Sequence, residues 1–259
     1  MDHLELGIKQ SYSVEELEYL KKASPFTQQF LQQTNEVARY LSEELSQVWH
    51  EFVCRMRSVP IITQLESGAL TTEGYRQILL DLRQQVVEGS AWIMRGASSL
   101  PASLAALRRE ILKHALEEST DYRMLETDYV NLGGRLPEIQ NAPKNIGSQA
   151  LSDFIFWNAS KEKPYHLTGA IFIIEGQPAR PGYWNRWHLW AEQLQRQGLH
   201  SSQCTFFRSH AEKDLIHTQW LESLFQLPIA TMELARQVVR TARVVGRLYV
   251  LQFESIGQY

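Results

Sequence analysis

The sequence predicts an all-α fold, a single helical domain of roughly seven to nine helices. Apolar residues recur at three- and four-residue spacing along almost the whole chain, and capping residues, prolines and paired glycines punctuate those runs. No sheet is expected. One short apolar run, Gly169-Ala-Ile-Phe-Ile-Ile, could be a buried strand, but it has nothing to pair with and is read as a buried helix. At 259 residues the chain can bury most of its apolar surface without disulfides. Residues 26–259 are expected to form the domain, with 1–25 an N-terminal extension or short helix.

The elements follow in order. Ser13 and Glu16 form a capping-box pattern. Helical spacing then runs from Pro25 to about Met56 and breaks near Pro60. Thr71-Thr-Glu-Gly opens a helix whose apolar residues Ile78, Leu79, Leu82, Val86 and Ile93 share a face. Pro101 starts another, expected to reach Leu132 and to stop at Gly133-Gly134. Arg135 to Gly147, with Pro137 and Pro143, is expected to be a loop. Further helices are predicted over 148–159, 164–177, 183–197, 203–224 and 228–254.

Composition excludes several classes of function. The net charge is −3, with 44% hydrophobic and 21% charged residues, so no basic field exists to hold nucleic acid or anionic lipid. Cys54 and Cys204 lie far apart in no CxxC pair, which argues against a disulfide framework or zinc knuckle. The first ten residues have neither a basic head nor an apolar run, so no signal peptide is expected. Apolar stretches fall well short of the ~20 residues needed to cross a bilayer. The expectation is a cytoplasmic protein with a small-molecule substrate and with neither nucleic acid nor membrane as partner.

Three segments carry candidate chemistry. His210-Ala-Glu-Lys-Asp214-Leu-Ile-His217 places three donors at i, i+4 and i+7, within about 60° of arc on a helix. Two imidazoles and a carboxylate suit Fe, Mn or Zn. The alternative is a solvated polar face with two coincidental histidines. His114, Glu118 and Asp121 repeat that spacing, and Ile111, Ala115, Tyr122 and Leu125 flank the same face, which points it inward. A carboxylate facing a core must be paired, protonated or metal-bound. The alternative is that Glu117, Glu118 and Asp121 form the wet side of an amphipathic helix. Glu175 ends the apolar run of 169–174, as a ligand or as a helix-end carboxylate reaching water.

Together these helices offer four carboxylates at most and two histidines, enough to neutralise two divalent cations in the manner of helical di-iron carboxylate sites. An oxygen-rich set without cysteine favours Fe or Mn over structural Zn. Two further features stand out. Tyr183, Trp184, Trp187 and Trp190 form either a packed core stripe or a pocket wall for an apolar substrate. Glu88, inside an otherwise apolar helix, is a candidate to orient substrate or accept a proton; a core-edge carboxylate capped by a helix donor accounts for it equally well.

The inward glutamate of Gly169-Ala-Ile-Phe-Ile-Ile-Glu175-Gly176, followed by the His-x3-Asp-x2-His segment, resembles the heme-oxygenase-like di-metal oxidases and oxygenases. In that family the glutamate precedes the first histidine by thirty-odd residues; here 210 − 175 = 35. Glu117-Glu118-Ser-Thr-Asp121 sits where the family carries an earlier glutamate and second ligand, and Gly68-Ala-Leu-Thr-Thr-Glu-Gly-Tyr75 is similar to the entry of its second core helix. The resemblance spans about Gln47 to Leu224.

It implies a heme-oxygenase-like bundle, monomeric or homodimeric, that holds two Fe(II) ions (Mn as the alternative) through Glu118, Asp121, Glu175, His210, Asp214 and His217. O2 would be co-substrate, and a fatty acid or amino-acid derivative with a carboxylate or amine would be oxidised. One departure matters: the family's histidine after the first glutamate is replaced by Asp121. Either Asp121 ligates, or His114 enters from one turn earlier, or the second metal is weakly held, as is common in the family. Three other readings stand beside this one. Heme oxygenase would use His50, 18 residues before Gly68, as proximal ligand, and Ile174-Glu175-Gly176 resembles a segment of that enzyme. A thiaminase-type enzyme would need an activated cysteine, for which neither Cys54 nor Cys204 has a motif. A non-catalytic heme-oxygenase-like binding protein needs no site at all.

Overall fold

The computed structural model describes residue 15 and residues 22–162, 164–177, 185–227 and 230–259. Ser13 and Glu16 lie outside the described residues, as do Tyr183 and Trp184. The helices are α1 (Gln28–Leu31), α2 (Glu36–Ser58), α3 (Pro60–Ser67), α4 (Thr72–Val86), α5 (Gly89–Ser98), α6 (Ala105–Glu117), α7 (Tyr122–Asn131), α8 (Leu136–Asn141), α9 (Ile146–Ala159), α10 (Thr168–Glu175), α11 (Arg186–Arg196), α12 (Thr205–Phe225) and α13 (Met232–Glu254). No strand occurs among the described residues, and none of the helices is long and apolar enough to cross a membrane.

Local signals in the sequence account for most helix ends. Asn35 caps α2 by accepting from Val37 N and Ala38 N, and Thr71 caps α4 by accepting from Gly74 N at 3.0 Å. Gly68 closes α3 at φ +79°, a conformation that L side chains rarely adopt. Three expected helices are subdivided. The run from Pro25 breaks between α1 and α2, where Asn35 restarts it. The run from Thr71 breaks after Val86, so Ile93 belongs to the separate helix α5. The run from Pro101 breaks at Glu118, where a 3₁₀ turn, Glu118–Thr120, links α6 to α7. The loop expected over 135–147 contains a helix instead: Pro137 sits in the first turn of α8, and Glu138 accepts from Arg135 N at 3.0 Å to cap it.

The core forms around α13, which packs against α2, α9 and α10. Two crossings require glycine. A Cβ on Gly169 would stand 2.2 Å from the carbonyl oxygen of Val238, and one on Gly147 would stand 2.2 Å from the backbone nitrogen of Gln252. α10 is therefore pressed backbone to backbone against α13, and its residues are buried except Ile174. The aromatic rings of Phe26 and Phe172 stack at 5.1 Å between centroids, and Trp49 and Phe52 extend the same core. Asp81 ties the chain's end to α4 by accepting from Asn145 Nδ2 at 2.8 Å and from Gly257 N at 3.1 Å.

The α10–α13 crossing generates a prediction. Gly169→Ala should lower stability by about 1–3 kcal/mol or more, because backbone must move to admit the methyl. Urea denaturation followed by far-UV circular dichroism reads this. Full retention of the wild-type midpoint would contradict so close a crossing.

Candidate metal centre

Three helices and one turn bring the predicted donors together. α10 delivers Glu175 at its C-terminus. α12 delivers His210, Asp214 and His217 from one face, all buried. α6 delivers His114, and the 3₁₀ turn after it delivers Glu118 and leads into Asp121. The turn is consequential: side chains at i and i+3 eclipse in a 3₁₀ segment, which keeps Glu118 and Asp121 on the same side as the chain passes from α6 to α7. Glu118 has its side chain 12% exposed, whereas that of Glu117 is 65% exposed, so Glu118 is the inward glutamate.

Two donor groups result. In the first, His114, Glu118, Glu175 and His217 each offer an atom, all within 4.8 Å of one another. His114 Nε2 stands 3.0 Å from Glu175 Oε1, and His217 Nδ1 stands 2.9 Å from Glu175 Oε2. In the second, Glu118, Asp121 and His210 meet the same criterion. His210 Nε2 lies 3.2 Å from Asp121 Oδ2 and 4.0 Å from Glu118 Oε2. Glu118 belongs to both groups.

The surrounding shell holds these donors in place. His210 Nδ1 lies 3.0 Å from Phe206 O; donation to that carbonyl leaves the Nε2 lone pair aimed at Asp121 and Glu118. Asp128 on α7 caps the N-terminus of α12, accepting from Thr205 N, Thr205 Oγ1 and Phe206 N at 2.7–3.0 Å. Arg186, 0% exposed, donates to the carbonyls of Ile173 and Ile174 and so sets a cation at the last turn of α10, beside Glu175. Nothing in the local sequence marks Asp128 or Arg186, because each acts on a segment distant in the chain or reaches its target only through the fold.

Several buried polar atoms here lack a hydrogen-bond partner: Glu118 Oε1, Glu175 Oε2, Asp214 Oδ1 and His217 Nδ1. The 2.9 Å approach of His217 Nδ1 to Glu175 Oε2 is close but not aligned as a hydrogen bond. Orphaned donors converging on shared points fit a bound cation, since buried polar groups are otherwise satisfied. The donor set of imidazoles and carboxylates suits Fe or Mn.

Electrostatics without a cation follow from burial. Burial, reinforced by Glu175, pushes the Glu118 carboxyl up to about 7, and burial raises Asp214 to about 6. Burial also pushes Glu175 upward, but His114 and His217 outweigh it and hold this carboxyl well below the usual range. Burial disfavours the His217 imidazolium, yet Glu175, Glu118 and Asp214 overcome that and raise it to about 9.

Two expected site residues are placed differently. Asp214 lies beside the centre, with Oδ1 3.8 Å from His217 Nδ1, but it enters neither donor group; its Oδ2 accepts from Trp187 Nε1 at 2.6 Å. Glu88 is half-buried and turned away from the centre, where it pairs with Lys144, just before α9, at 2.5 Å and accepts from Ser152 Oγ on α9 at 2.7 Å. His114 stands in the first donor group and Asp121 in the second. His50 sits near exposed Cys54, Nε2 to Sγ 3.7 Å, and does not line the cavity next to the centre. Cys204 is buried below the N-terminus of α12, with burial raising its thiol.

That cavity is narrow, with about 40 Å³ open to a water-sized group. Leu82, Ile93, Phe206 and Trp187 form apolar walls, and Glu118, Glu175 and His210 form the polar end. Trp187 thus both packs in the core, against Phe207 and Trp190, and faces the cavity.

No protein-family profile matches the chain, and no curated protein matches it in sequence. Solved structures do resemble it. A domain of unknown function with a heme oxygenase-like fold from Shewanella denitrificans superposes with a TM-score of 0.73 at 15% identity, covering 83% of this chain and 91% of that one. A TenA homolog from Pseudomonas syringae pv. tomato gives 0.64 at 12% identity, covering 86% and 93%. A TenA homologue from P. horikoshii gives 0.64 at 14% identity, covering 84% and 96%. The chain therefore has a heme oxygenase-like, all-α fold, as the resemblance implied, and the likeness extends to fold alone.

The raised groups predict a pH profile for metal uptake. A cation must displace the His217 proton below about 9 and the Glu118 proton below about 7, so affinity rises with pH. Apparent Mn(II) affinity should climb about tenfold per pH unit between 7 and 9, and more steeply below 7. Competition with a chelator of known affinity measures it, and a flat profile would rule out displacement at these groups.

Proposed function

We propose that the protein is a non-heme di-metal oxidase or oxygenase that uses two iron ions and O2 to oxidise a small carboxylate- or amine-bearing molecule. The observation that carries this reading is that Glu118 belongs to both donor groups, the arrangement required of a carboxylate shared between two ions. His114, Glu118, Glu175 and His217 would hold one ion; Glu118, Asp121 and His210 would hold the other. The metals would supply O2 activation, which side chains alone cannot perform.

The chain's own residues support that chemistry in three ways. The Phe206 carbonyl sets the His210 tautomer, and Trp187 immobilises Asp214 close to His217. The apolar walls would exclude water and orient a substrate against the polar end. Gln85 lines the same cavity with a buried Oε1 that has no partner, a handle for a substrate N–H or O–H. No cysteine lines the cavity among the described residues, which leaves the thiaminase-type reading without a nucleophile there.

Anaerobic titration with Fe(II), followed by O2 and an oxygen electrode, tests the proposal. Iron uptake and O2 consumption are expected; absence of both would leave a binding module. A Soret band on adding hemin, lost in His50→Ala, would favour heme oxygenase instead. His217→Ala should weaken iron binding by at least about 100-fold, since loss of even an outer-shell partner costs 10–100-fold, while far-UV circular dichroism stays unchanged. Full iron content in that variant would dismiss His217 as a ligand.

A further inference from the structure

The second donor group already holds a cation. Lys213, on α12 between His210 and His217, places Nζ 2.9 Å from both oxygens of Asp121. His210 Nε2 approaches one of those oxygens at 3.2 Å. The first group has no such occupant: among the described residues, the carboxylates of Glu118 and Glu175 pair only with histidines.

We propose that Lys213 is a built-in competitor for the second metal ion, so that the centre binds one ion tightly and a second only when Lys213 turns away. The inference rests on the di-metal reading and concerns how its two positions differ. Charge supports it. Ionised Glu118, Asp121 and Glu175 give the two donor groups three negative charges, and the Lys213 ammonium cancels the one on Asp121, which leaves less charge to attract a second divalent cation. Geometry supports it as well. A metal ion bonds a carboxylate oxygen at roughly 2.0–2.2 Å, and it would have to share Asp121 with an ammonium that engages both oxygens. The two cations would repel at close range, where the surroundings are buried and weakly screened.

Lys213 also has a way out. Its side chain is 37% exposed, whereas that of Asp121 is 5% exposed. The four-carbon stem is flexible and the ammonium is well hydrated in water. Turning outward leaves Asp121 with His210 and Glu118, the complete second group. A purely structural ion pair would instead tie α7 to α12, and its loss would lower stability without changing the relation between the two metal affinities.

Metal-free wild type, Lys213→Met and Lys213→Arg would be titrated anaerobically with Mn(II), with free ion read by electron paramagnetic resonance and heats by calorimetry. Wild type should bind one ion, then a second at least about tenfold more weakly. Lys213→Met keeps the stem's volume and removes the charge; it should raise second-site affinity by about tenfold or more, the factor set by one charge-assisted bond. First-site affinity should stay within about twofold. Lys213→Arg keeps the charge in a bidentate fork and should leave the second site as weak or weaker. A gain of second-site affinity in Lys213→Met that is absent from Lys213→Arg cannot arise from misfolding. Equal affinity of wild type for two ions, or an unchanged second constant in Lys213→Met, would overturn the proposal while leaving a di-metal centre intact. Absence of any uptake in all of the proteins would overturn both.

Discussion

The centre of this bundle is organised by the need to accommodate Glu175, a carboxylate at the end of a helix pressed into the core. An isolated carboxylate there would cost several kcal/mol, and the fold answers it from two sides. His114 on α6 and His217 on α12 approach its two oxygens at about 3 Å, and buried Arg186 sits at the carbonyl end of the same helix. The positions of α6, α10, α11 and α12 are thereby linked. A shift in any of them would strand a buried charge.

The second organising feature is the 3₁₀ turn between α6 and α7. The tighter turn lets Glu118 stand between two donor groups while Asp121 meets His210. Asp128, two turns further on, fixes the N-terminus of α12 and so sets the height of His210 against Asp121. Backbone geometry on α6–α7 and capping of α12 thus converge on one carboxylate, Glu118, whose acidity is weakened by burial and by the neighbouring Glu175.

The bundle is shared with proteins that are only 12–15% identical to this chain. At that distance the common property is the fold, which many sequences can satisfy with apolar residues of suitable size.

Much of the fold was legible because helical periodicity, caps and glycine stops are local properties. Thr71 starts α4 as expected, the run of 169–174 is a buried helix, and His210, Asp214 and His217 share a face of α12, as their spacing required. The sequence also marks Glu118, Asp121, Glu175, His210 and His217 as inward donors, since polar residues on apolar faces stand out against period 3.6. It could not place the break at Glu118, because the residues there have no strong breaker and the 3₁₀ turn is imposed by packing. Nor could it assign the partners: Glu88 was indistinguishable from a functional carboxylate until Lys144 and Ser152, more than fifty residues away, were seen to engage it. The sequence by itself determined that the chain is helical and that Glu118, Asp121, Glu175, His210 and His217 turn inward, through interactions a few residues long. Only the tertiary structure decided that Glu118 is shared, that His114 joins it while Asp214 stands aside, and that Lys213 covers Asp121, because those outcomes depend on distances between helices.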